Sequence, residues 1–109
     1  MSLGLEIPKE KEEIKKKILE LKGRVDSGFP FEYDSLAVWY GNIIPSYLWE
    51  SWKDKLKKKG WNWQKFLKLL SYSTREAVLY VEGEMSWEAF VSNVINLLES
   101  PIGEAIRKR

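Results

Sequence analysis

The residues best suited to chemistry lie together in one tract: Trp52-Lys53-Asp54-Lys55-Leu56-Lys57-Lys58-Lys59-Gly60-Trp61-Asn62-Trp63-Gln64-Lys65, extending to Lys68. Seven lysines stand there against one acid, interleaved with three tryptophans. Ammonium groups that neutralise phosphates release condensed counterions, the main source of affinity in nonspecific nucleic-acid binding. An exposed aromatic ring adds stacking of roughly 1–3 kcal/mol per base. Lysine acts as a mobile point charge, whereas arginine forks would favour bidentate reading of base edges. The tract therefore points to contact with the phosphates of single-stranded or nonspecifically bound nucleic acid, or of a nucleotide.

The expected phosphate contacts are Lys53, Lys55, Lys57, Lys58, Lys59, Lys65 and Lys68, with Arg75 and the run Arg107-Lys108-Arg109 as secondary contacts. Trp61 is the expected stacker, because Trp52 and Trp63 fall on apolar helical faces that belong to a core. Residues 35–70 carry seven basic groups against Glu50 and Asp54, while residues 1–34 carry seven against eight and residues 71–109 four against six. A cationic island between near-neutral or acidic flanks also serves as an ordinary solvated face. The functional reading holds only if the fold gathers these charges on one corner.

Other chemistries find little support. The absence of Cys and His excludes disulfides, thiolate or imidazole zinc sites, His-based triads and Cys nucleophiles. No glycine-rich phosphate cradle is present. Glu82, Glu84 and Glu88 do not match a calcium loop and read as an acidic rim. A helix-turn-helix across Thr74–Leu98 has a turn of suitable length in Gly83-Glu84-Met85-Ser86, but Trp87 to Glu99 contains no Lys or Arg to meet phosphates. The expectation is a non-enzyme without metal or cofactor.

Helical signals position the tract. Pro8 suits a first helical position, and Ile14, Ile18 and Leu21 form a narrow apolar stripe that Gly23 would cap. Gly23 to Asp34 reads as a loop whose Phe29, Phe31 and Tyr33 fold back as a lid; Leu36 to Ile44 fits either a helix or a strand, ended by Pro45. Ser46 to Lys59 is helical and stops at Gly60. Asn62 caps the next helix, with Trp61 stapled to Phe66. Ser73-Thr74-Arg75-Glu76 matches a capping box, which favours helix over strand for Ala77–Val81. Ser86 caps a core helix carrying Trp87, Phe90, Val91, Val94 and Leu98, with Met85 as staple, and Ser100-Pro101 opens a last short helix.

These elements predict an all-α bundle of five to seven short helices in one domain over 1–109, with α+β and a hairpin from 36–44 and 77–81 as runner-up. No run of about twenty apolar residues predicts a membrane span, and charge soon after Met1-Ser2-Leu3-Gly4-Leu5 argues against a secretory signal, so a cytoplasmic protein is expected. A single Gln beside abundant Lys and Glu follows a thermophile bias. The competing reading is a non-enzymatic protein–protein adaptor or small subunit, since fifteen aromatics include groove candidates Phe29, Phe31, Tyr33, Trp39, Tyr40 and Tyr47. A homodimer would bury some of this surface. In composition the chain is similar to small helical accessory domains attached to archaeal plasmid or viral replication proteins. That likeness implies binding of template and nucleotide and carries no residue over.

Overall fold

The computed structural model describes the backbone of residues 3–26 and 33–109, and side chains at 3–20 and 43–109. The expected lid residues Phe29 and Phe31 lie outside the described residues, as do the side chains of Tyr33, Trp39 and Tyr40. The architecture is all-α: α1 (Glu12–Asp26), α2 (Tyr33–Lys58), α3 (Trp63–Leu70), α4 (Thr74–Val81), α5 (Trp87–Leu98) and α6 (Pro101–Arg107), with a 3₁₀ turn, Ser71–Ser73, between α3 and α4. No strand occurs among the described residues, so the hairpin alternative is overturned.

Local capping behaves as expected at three helices. Asn62 Oδ1 accepts from the Lys65 amide at 2.8 Å, Ser86 Oγ from Ala89 at 3.1 Å, and Ser100 Oγ from Gly103 at 3.2 Å. Each bond satisfies an otherwise orphaned first-turn donor. The capping box at Ser73 does not form. The 3₁₀ turn carries α3 almost directly into α4, leaving Ser73 at φ −112°, ψ 16°, not in the extended conformation a cap requires. Its hydroxyl turns back to the Leu70 carbonyl at 2.9 Å.

Two expected breaks are overridden. Pro45 lies inside one continuous helix, α2, where it removes a backbone hydrogen bond. Buried Ile44, Leu48, Trp49, Trp52 and Leu56 lie along the same helix and hold it in the core. Gly23 does not end α1, which runs on to Asp26. The start of α1 also differs from expectation: Pro8 is not a first helical residue, because residues 3–11 have no regular secondary structure.

Most described aromatics are consumed by packing. Trp49, Trp52 and Phe66 meet between α2 and α3, with centroids 5.4 and 6.3 Å from Phe66. Tyr80, Trp87 and Phe90 form a second group across α4 and α5 at 5.3–5.9 Å. Tyr47 of α2 stacks on Trp87 at 6.0 Å and ties α2 to the second group. Such ring pairs add about 0.5–1.5 kcal/mol each beyond their area burial.

Candidate nucleic-acid interface

The cationic tract spans the end of α2, a tight turn and the beginning of α3. α2 carries Lys55, Lys57 and Lys58 in its last turn, where the negative end of the helix dipole favours cations. Gly60 then adopts φ +96°, a conformation open to glycine and strained for other residues, and reverses the chain into Asn62. Lys57, Lys58 and Lys59 are exposed, and among the described residues none has an ion-pair partner.

The last helix closes on this turn. A Cβ placed on Gly60 would lie 3.7 Å from Arg107 Cγ, so the arginine stem lies against the glycine. The Arg107 guanidinium reaches the Lys59 carbonyl at 3.4 Å, and Lys65 Nζ donates to the Arg107 carbonyl at 2.8 Å. Two basic segments almost fifty residues apart in sequence, Lys57-Lys58-Lys59 and Arg107-Lys108-Arg109, thus meet at one corner with Lys65 between them. The acid that pairs there is Glu104, 3.1 Å from Lys108 and 3.7 Å from Arg107. The Lys108 hydrogen bond and charge hold its carboxyl below the ordinary carboxylate range.

Other predicted residues are placed differently. Lys53 is held by Glu50 at 3.0 Å, and that hydrogen bond raises its proton affinity. Lys55 donates to the Gly4 carbonyl at 2.6 Å and is committed to the N-terminal segment. Lys68 is exposed on α3, three residues beyond Lys65. Arg75 is exposed in the first turn of α4, and among the described residues no hydrogen bond or ion pair ties it to the corner.

Trp61 is not a stacker. It is 3% exposed, and its amide bonds back to the Leu56 carbonyl at 3.0 Å, so the Gly60 turn folds the ring into the core. Among the described residues the exposed aromatic is Tyr72, 55% exposed in the 3₁₀ turn. Lys65, Lys68 and Tyr72 follow i, i+3, i+7 spacing, so one helical face leads from the corner to the ring. Tyr72 is illegible in sequence because Leu69 and Leu70 beside it are buried and suggest continued core. Its one signal is position: it falls off the stripe of Phe66, Leu69 and Leu70.

Among the described residues no helix is long and apolar enough to cross a membrane, and no cluster of His, Cys, Asp and Glu could hold a metal ion. Comparison with protein families, with curated proteins and with solved structures finds no match to this chain.

Proposed function

We propose that the protein binds nucleic acid through phosphate contacts at the corner formed by Lys57, Lys58, Lys59, Lys65 and the Arg107-Lys108-Arg109 run. The observation that carries this reading is the docking of Arg107 on the Gly60 turn, which joins two basic segments remote in sequence. Lys68 extends the contact along α3, and Tyr72 replaces Trp61 as the ring available for stacking. Point-charge contacts beside an accessible ring suit single strands or nonspecific binding.

The test is a salt titration with a short single-stranded oligonucleotide and the variant K57A/K58A/K59A. Affinity should fall for every base sequence, and the log–log salt slope should flatten by roughly 0.7–0.9 for each phosphate no longer neutralised. An unchanged slope in a folded triple variant refutes the reading.

A further inference from the structure

One carboxylate oxygen of the bundle is buried without a donor. Glu76 Oε2 is shut off from solvent and has no hydrogen-bond partner among the described residues. Buried acceptors are almost always paired, because dehydrating one without a replacement donor destabilises the fold. Glu76 lies in the first turn of α4 and lines an open groove of about 310 Å³ with Tyr72, Asn93, Asn96, Leu97 and Ser100. Small-molecule sites begin at about that size.

The lining divides by chemistry. Tyr72 brings an exposed ring from the 3₁₀ turn, and half-buried Leu97 adds apolar surface from α5. The Ser100 hydroxyl is already engaged, donating to the Leu97 carbonyl at 2.6 Å and accepting from the Gly103 amide at 3.2 Å. Asn93 and Asn96, three residues apart on α5, present side-chain amides that no hydrogen bond among the described residues engages. The groove thus combines a flat ring, a buried acceptor and two amides that both donate and accept.

A carboxylate repels phosphate, so the groove selects the base side of a nucleotide. The ring stacks on any base, and the edge chemistry decides which one is held. An ionised carboxylate only accepts and needs N–H donors. Guanine presents two adjacent donors, N1–H and the N2 amino group, beside an O6 acceptor that an asparagine amide can meet. Adenine and cytosine would turn a bare ring nitrogen towards the carboxylate, and thymine has one N–H between two carbonyls. Lys65, Lys68 and Tyr72 follow one helical face for about 10 Å, so a strand whose phosphates lie on the basic corner brings a base to the groove.

We propose that the groove is a guanine subsite for a single strand held at the basic corner. Tyr72 stacks on the base, Glu76 accepts from N1–H and the N2 amino group, and Asn93 or Asn96 donates to O6. The subsite rests on the phosphate contacts of the corner and adds a base preference that those contacts do not supply.

The probes are fluorescein-labelled dT heptamers, unsubstituted or with one central dG, dA, dC or deoxyinosine, followed by anisotropy at 0.15 M salt. The dG heptamer should bind at least about fivefold more tightly than the others, the low end of what a two-bond contact to one base edge supplies. Deoxyinosine lacks the N2 amino group and should lose most of that advantage. E76Q should abolish the dG preference without weakening unsubstituted dT, whereas Y72A should weaken every heptamer. Equal, salt-dependent binding of all heptamers by the unaltered protein overturns the subsite and leaves the phosphate corner standing. No binding of any heptamer overturns both. A dG preference that persists in folded E76Q also overturns the subsite. If E76Q does not fold, the unaltered protein decides, and deoxyinosine binding as tightly as dG overturns the proposal.

Discussion

Glu104 sets the charge of the basic corner. Its carboxylate is exposed and touches both Lys108 and Arg107, so its removal changes electrostatics with little loss of packing. E104Q should free Lys108 and Arg107 to meet phosphates, raising oligonucleotide affinity by up to about fivefold and steepening the salt slope. A titration of E104Q that matches the unaltered protein would show that the corner does not meet phosphates. At this scale the sequence is legible for charge and poorly legible for rings. Lysine spacing identifies Lys57 to Lys59, because a run of charges in a helix's last turn has nowhere to go but solvent. Trp61 carries two conflicting signals, its place in the lysine tract and its place as a staple ahead of the Asn62 cap, and the Gly60 turn folds it into the core as the staple requires. The contacts of Lys55, Trp52 and Trp87 with the carbonyls of Gly4, Glu6 and Pro8 leave no side-chain signature, so the path of residues 3–10 is invisible in the sequence.

Among the elements, α6 is the one on which the site depends. At seven residues it is too short to persist alone, and packing must fix its position. Buried Gly103 and Ile106 fasten it to the bundle. A Cβ on Gly103 would lie 2.4 and 2.5 Å from the carbonyl oxygens of Leu97 and Leu98, backbone atoms that cannot turn aside. G103A should therefore push α6 away from α5 at a cost of about 1–3 kcal/mol. Thermal unfolding followed by circular dichroism should show a fall of at least about 4 °C. The same displacement lifts Arg107 from Gly60, so oligonucleotide affinity should fall although every lysine remains. Normal stability in G103A would contradict this close packing. Legibility here follows range. Caps at Asn62, Ser86 and Ser100 depend on residues three apart and are readable. Pro45 and the Ser73 box mislead, because burial along α2 and the continuation of α3 into α4 outweigh a local preference.

Across the whole molecule, the path of residues 3–10 fixes where the charges sit. That segment begins beside Lys55 and Glu99 and ends beside Trp87 and Tyr80. The C-terminal ends of α2 and α5 therefore share one end of the molecule, and α5 begins at the other. The basic corner follows the end of α2, whereas Glu82, Glu84 and Glu88 surround the start of α5, next to Glu10. The twelve residues of α5 separate them by about 18 Å. Charges that far apart are largely screened at physiological ionic strength, where the Debye length is about 8 Å, but not at 10 mM, where it is about 30 Å. The acidic flank therefore does not cancel the corner under physiological salt. The variant E82Q/E84Q/E88Q should change oligonucleotide affinity by less than about twofold at 0.15 M salt, and should raise it clearly at 10 mM. Equally large gains at both concentrations would place those carboxylates close to the bound phosphates and contradict the separation.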